Sequence, residues 1–270
     1  MSCENCFKGS ELPGEPQGSL VDGAYFRAAA APTAEGEPKR AIVLLSDIFG
    51  LPLKNCKIMA DQLSERVGVD VWVPDLFDGR PPVKPEEIEP LMPDRAHAKQ
   101  GFMSYIRLLF LFITHFFAMR RTRPAIGEAR AREFIEKLRT EKSYNRLGAV
   151  GYCYGGTVAV GLGKSPQLVN TLVIAHPGWI KIEDVKLMKV PSSWVCAEED
   201  FSFKPHLRNG AEAVYKEREG KDDFVPYEFK DWKGTAHGFA IRPNQSVPDV
   251  KAGYEGALAQ TVDWFGKTLF

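Results

Sequence analysis

From position 41 onward, the hydrophobic positions recur in two alternating rhythms. "AIVLLSD", residues Ala41 to Asp47, is a short unbroken apolar run of the kind found in strands buried on both faces. "KNCKIMADQLSERVG" then spaces its apolar residues at helical intervals and stops at Gly68. "VDVWVPD" (Val69 to Asp75) returns to strand and is closed by Pro74. Behind Pro124, Ala125 to Thr140 reads as a helix. "RLGAVGYCYGGTVAVGLG" runs strand, sharp turn, helix. "NTLVIAHP", "SSWVCAEED" and "FVPYEFKDW" are three more strands, with a helix over Pro205 to Glu219 before the last. "VKAGYEGALAQTVDWFGKTL" is a closing helix. Strands alternating with helices predict an α/β protein, its mostly parallel central sheet flanked by helices on both faces. Such sheets bind ligands at the carboxyl ends of their strands. The first 20 residues and Ala31 to Lys39 are rich in Pro, Gly and Glu and read as loop. The expectation is one domain over 1–270, with 1–22 an irregular N-terminal segment.

One stretch breaks the rhythm. Gly101 to Met119, "GFMSYIRLLFLFITHFFAM", is apolar around most of a helical circumference, with Ser104, Arg107, Thr114 and His115 in one polar stripe. Its uncharged run is shorter than the ~20 residues that span a bilayer. A buried helix is the first expectation; the alternative is a cap whose apolar side faces a hydrophobic substrate or a second subunit.

Composition narrows the partners. With 35 basic and 35 acidic side chains the net charge is zero, and that balance alone supplies no reason to expect nucleic acid or an anionic membrane. Five cysteines, an odd number scattered along the chain, suit free thiols in a reducing compartment. The N-terminus lacks the apolar core of a secretory signal, so a cytoplasmic location is expected. Cys3 and Cys6 form a single Cys-x-x-Cys without the second pair that a structural zinc site needs, so no metal is expected.

The chemistry concentrates at "GYCYGG", Gly151 to Gly156. A strand runs directly into a helix there, leaving Cys153 at the bend, where a nucleophile is exposed at the sheet's carboxyl edge. Small residues at 151, 155 and 156 let the backbone turn tightly. The N–H of Tyr154 would point where an oxyanion forms. The competing account is that Cys153 only packs, as free cysteines commonly do. A nucleophile needs a base, and the base an orienting acid. Three histidines follow: His176, His206 and His237. His237, in the glycine-flanked loop "KGTAHGFAIRP", lies where a base belongs; His176, directly after a strand end, is a candidate for lining the pocket; His206 begins a helix and reads as surface. Glu198, Glu199 and Asp200 end a strand between nucleophile and base, and three adjacent carboxylates cannot all face one imidazole.

Four segments, "LLSDIFGL", "GYCYGG", "AEED" and "AHGFAIR", together resemble the dienelactone hydrolase family in its fungal and other eukaryotic branch. The likeness runs from about Ala41 to Phe270, and the opening "CENCFKGSELPGEPQG" resembles that branch as well. The resemblance implies an α/β-hydrolase fold, no cofactor, and a triad of Cys153, His237 and Asp200. It implies backbone N–H groups of Ile48 and Tyr154 as the oxyanion hole. Family enzymes of the bacterial type carry a thiol-activating glutamate where this chain has Asp47, one methylene shorter; capping the turn is its other reading. The resemblance also points to Arg242 and Arg80 as candidates for holding a substrate carboxylate.

The expected activity is hydrolysis of a small-molecule ester or lactone, dienelactone-like or an activated enol ester, by a monomer or homodimer. Two alternatives are a biosynthetic hydrolase or cyclase acting on a polyketide-like lactone, anhydride or thioester, and a non-catalytic binding protein on the same fold.

Overall fold

The computed structural model describes residues 11–31 and 34–270, so Cys3 and Cys6 lie outside the described residues. Among the described residues, eight strands form one sheet in the order β1-β2-β4-β3-β5-β6-β7-β8. Its centre is β3 (Arg40–Leu45), β5 (Arg146–Tyr152) and β6 (Thr171–Ala175), flanked by β4 (Asp70–Val73) on one side. β7 (Ser192–Glu199) and β8 (Tyr227–Ala236) extend the other side. All pairings from β4 through β8 are parallel.

The apolar runs are strands because both sheet faces are covered. Along β3, Ala41, Val43 and Leu45 enter one core, while Ile42 and Leu44 enter the other, the two-residue period of a pleat. The first core is closed by α5 (Pro124–Glu141), α6 (Tyr154–Leu162) and α8 (Pro205–Lys216). The second is closed by α1 (Asn55–Val67) and α9 (Pro248–Thr268). Two short helices, α2 (Pro85–Ile88) and α7 (Ile182–Lys186), lie in the connections.

Two expectations change. Residues 1–22 are not wholly irregular: β1 (Ser19–Val21) and β2 (Ala24–Arg27) form a hairpin, and β2 pairs antiparallel with β4. The turn is Asp22-Gly23, both at positive φ (51° and 81°), the hairpin chemistry of a type I′ turn. Before it, Leu12 is buried, its N–H donating to Asn55 Oδ1 at 3.2 Å.

The second change concerns Gly101 to Met119, which is not a buried helix. It forms α3 (Phe102–Thr114) and α4 (Phe116–Arg121), and of the residues in these two helices only Leu111 is buried. Phe102 is 78 % exposed and Phe117 81 %. The inner side of α3 rests on a small separate cluster, Phe49, Leu53, Val83 and Leu111, joined by Leu108 and Met119. The segment is therefore a cap over the carboxyl edge of the sheet.

Candidate active site

β5 ends at Tyr152, and Cys153 stands alone in the bend before α6, with φ 53° and ψ −110°. A non-glycine residue at positive φ persists only where its surroundings hold it. Here the Cys153 N–H donates to the Ala175 carbonyl at 3.1 Å, and the Cys153 carbonyl accepts from Gly178 N–H at 2.9 Å. The glycines on either side are a steric requirement. A Cβ on Gly151 would overlap the carbonyl of Gly155, and one on Gly155 would overlap that of Leu45. Gly155 N–H donates to Ser46 at 3.0 Å, locking the helix start against the end of β3.

The other two candidate side chains come from β7 and β8. Ala197 faces Trp232, but Glu199 faces Ala236, so β8 carries two extra residues at this bulge. A bulge re-aims the chain that follows. Here it brings Asp200, just past β7, against His237, just past β8. Glu198 supports the bulge by accepting the Gly234 N–H at 2.6 Å, and Glu199 turns outward to His97. Of the three adjacent carboxylates, Asp200 alone meets the imidazole.

His237 Nδ1 lies 3.0 Å from Asp200 Oδ1 and 2.9 Å from Oδ2. Asp200 Oδ1 also accepts from the Ser202 and Phe203 N–H groups, and Ser202 Oγ, with one proton to give, lies 2.8 Å from both Asp200 Oδ1 and the Pro177 carbonyl and 3.2 Å from His237 Nδ1. Burial pushes Asp200 up, yet His237 and these donors hold it well below the usual carboxylate range. Burial pulls His237 down, but Asp200, and then the charge of Cys153, outweigh it and raise it to about 10. Its Nε2 is buried with no hydrogen-bond partner among the described residues, leaving that nitrogen for the Cys153 side.

Asp47 is 1 % exposed, and both its oxygens are occupied: Oδ1 accepts from Phe49 N–H at 3.2 Å and Oδ2 from Arg242 Nε at 2.7 Å. Burial pushes its carboxyl up against the pull of Arg242. Arg242 donates also to Glu89 Oε1 at 3.1 Å and stacks over Phe49 with its carbon 4.7 Å from the ring centre. One guanidinium thus sits between two carboxylates. Arg80 is not brought to this site; it is exposed, its nearest ion-pair partner being Asp78 at 3.5 Å. His176 does not line the cavity either. It is fully buried behind His237, ring centres 5.1 Å apart, with neither ring nitrogen hydrogen-bonded among the described residues, and burial pulls it well below the ordinary histidine value. His206 is exposed at the start of α8.

A cavity of about 340 Å³ opens above Cys153 and His237. The cap lines one side with Tyr105, Leu108, Phe112 and Met119; Trp179 and Phe201 line the other, and Ile48 lies against the sheet edge. Phe201 packs over His237 with ring centres 4.5 Å apart. Tyr154, as the first residue of α6, has an N–H with no intrahelical acceptor. Ser202, Glu89, Trp179 and Phe201 escape sequence reasoning. Ser202 alone leaves a trace there, as the second residue after an aspartate that folds into an Asx turn. Among the described residues no group of three or more His, Cys, Asp or Glu side chains is arranged to hold a metal ion, and no helix is long and apolar enough to cross a membrane.

The chain resembles known hydrolases in sequence and in fold. The sequence model of the dienelactone hydrolase family matches residues 26–269. The hydrolase pyvD of Aspergillus violaceofuscus is 30% identical over 264 residues, covering 98% of this chain and 96% of that protein. The carboxymethylenebutenolidase homolog of Mus musculus is 26% identical, covering 84% and 82%. Among solved structures, a putative dienelactone hydrolase from Klebsiella pneumoniae superposes with a TM-score of 0.65 at 12% identity, covering 90% of this chain and 92% of that one, a likeness of fold. With the α/β-hydrolase fold and a family match along nearly its whole length, the chain belongs to the dienelactone hydrolase family, hydrolases of ester bonds.

Proposed function

We propose that the protein hydrolyses a neutral, hydrophobic ester or lactone with Cys153 as nucleophile, His237 as general base and Asp200 as the group that orients it. The observation that carries this reading is the division of His237: Nδ1 is held by a buried carboxylate while Nε2, buried and otherwise unpartnered, is left for the thiol. Nε2 takes the Sγ proton, and the thiolate attacks the carbonyl carbon. The N–H groups of Tyr154 and Ile48 receive the oxyanion. As the tetrahedral intermediate collapses, His237 returns the proton to the leaving oxygen. Water then gives a proton to Nε2 and attacks the thioester, releasing the acid and restoring the thiolate–imidazolium pair. No step calls for a cofactor.

Asp47 acts as a positioning residue in this scheme. Its side chain accepts the Phe49 N–H and its carbonyl the Gly50 N–H at 3.2 Å, which shapes the loop that carries Ile48. With both carboxylate oxygens engaged it supports the oxyanion site and does not take the thiol proton. The capping account of Asp47 and its place beside the site are thereby one role.

Arg242 bears on the substrate. Two carboxylates already offset its charge, and the rest of the wall is almost entirely apolar, so a substrate carboxylate gains little here. This favours the second expectation, a large apolar lactone, anhydride or thioester, over small anionic dienelactones.

Cys153→Ala and His237→Ala should each abolish turnover of p-nitrophenyl esters while the circular dichroism spectrum is kept. Retained activity in either removes the assignment. Product analysis with apolar lactones against dienelactones tests the substrate class, which fails if only the small anions turn over. Iodoacetamide labelling of Cys153 near neutral pH addresses the idle-fold alternative: a rate no faster than a free thiol supports it.

A further inference from the structure

The outer face of the cap has no role in the chemistry above. In α3, Ser104, Leu108, Leu111 and Phe112 turn toward the protein, while Phe102, Ile106, Leu109 and Ile113, at helical spacings of four, three and four, turn outward with Phe110. Phe116 and Phe117 continue this face in α4. At 150–250 Å² for an aromatic side chain, these exposures make an apolar patch on the order of 1,000 Å². Monomeric proteins seldom leave more than a few hundred uncovered.

Charge identifies what covers it. The whole chain is balanced, but between Arg95 and Glu128 there is no acidic residue, while Lys99, Arg107, Arg120, Arg121 and Arg123 all fall within that interval. These five are exposed, and among the described residues none of them makes an ion pair. Two-fold pairing with a second copy would bring like charges together. An anionic surface would pair them while burying the aromatics.

We propose that the outer face of α3 and α4 docks on an anionic lipid bilayer, lying in the interface with the arginines at the headgroups. α3 has 13 residues, too short to span, and lies in the plane of the surface. The cavity shares Tyr105, Leu108 and Phe112 with this helix, and across its mouth Trp179 stands 68 % exposed. The mouth therefore opens beside the docked face, where an apolar substrate dissolved in lipid is concentrated. That last link rests on the hydrolase reading; the docking does not.

The test is flotation of the full chain with phosphatidylcholine vesicles, with and without phosphatidylserine, at low and high salt. The chain should float with the anionic vesicles, and omitting phosphatidylserine or raising salt should weaken binding roughly tenfold or more. The variant I106Q/L109Q/F110Q should lose flotation, and R107Q/R120Q should weaken it by a similar roughly tenfold factor. None of these side chains lines the cavity, so turnover of a water-soluble ester should persist in both variants and serves as the folding control. No flotation, or equal binding to neutral vesicles, overturns the proposal. So does a concentration-dependent dimer in light scattering that the triple variant abolishes while vesicles stay unbound, because a second copy would then be the occupant. An inactive protein that still floats would refute the hydrolase reading alone.

Discussion

Replacing Asp200 with asparagine tests the proposed chemistry at its most buried point. The side chains are nearly isosteric, and asparagine Oδ1 can go on accepting the Ser202 and Phe203 N–H groups at 2.8 and 2.9 Å. What changes is the side facing His237 Nδ1, now 2.9–3.0 Å from a carboxylate. An amide NH₂ there forces Nδ1 to accept, places the imidazole proton on Nε2, and leaves no lone pair for the thiol. By the logic of triads in general, kcat/KM for an activated ester should fall about 10³–10⁴-fold. Stability responds as well. His237 is raised from 6.5 to about 10 by Asp200 and Cys153 against the effect of burial, a gain on the order of a few kcal/mol shared by the coupled groups. A raised histidine contributes stability that is complete below its unfolded value and is lost as pH rises through about 10. Asp200 is lowered, so its contribution is present above the ordinary aspartate value of 3.8 and is lost as pH falls through its folded value. The melting difference between the wild type and D200N should therefore be greatest from about pH 4 to 6.5. There it should reach roughly 5–10 °C, and it should shrink steadily toward pH 10. Differential scanning fluorimetry across pH, with ester kinetics alongside, reads both effects. A variant within about tenfold of the wild type, or a melting difference independent of pH, would refute the argument that this carboxylate fixes and charges His237.

Three further outcomes follow from the same contacts. Arg242→Leu strands Asp47 as an unpaired buried charge and should destabilise by about 3–5 kcal/mol at neutral pH; in urea titrations the loss should lessen in acid, as the already raised Asp47 carboxyl protonates. Gly155→Ala must displace the backbone at Leu45 and should leave little folded protein, whereas Gly266→Ala meets nothing within 4 Å and should stabilise α9 by about 0.5–1 kcal/mol. Equal tolerance of the two in thermal melts would contradict the steric account of the turn. Phe112→Ala opens the cap side of the cavity and should cost roughly tenfold in kcat/KM for long-chain esters while sparing acetates; equal loss on both would mean that the cap does not contact substrate.

Much of this was legible in the sequence, because the signals concerned are local. Central parallel strands are buried on both faces, so "AIVLLSD" and "NTLVIAHP" carry their own announcement, and β3, β5 and β6 are almost wholly buried. The turn at Cys153 is legible for a similar reason: only glycine fits beside a backbone that close. The Asp22-Gly23 turn is equally local, a dipeptide that favours a tight hairpin.

Tertiary structure decided what depends on direction and on distant partners. Three carboxylates in a row are equivalent until a bulge in β8 aims Asp200 at His237 and turns Glu198 and Glu199 away. What Arg242 pairs with was set by Asp47, 195 positions earlier, and Glu89, 153 positions earlier, which the fold closes on it. His176, a candidate for lining the pocket from its place after a strand end, is instead fully buried behind the His237 ring. Gly101 to Met119 shows the limit most clearly. A helix apolar around most of its circumference, with a narrow polar stripe whose Ser104 turns inward, does not say by its pattern which side is covered. Only its seat on Phe49, Leu53 and Val83, at the edge of the sheet, determined that one side would close over a thiol and the other face outward.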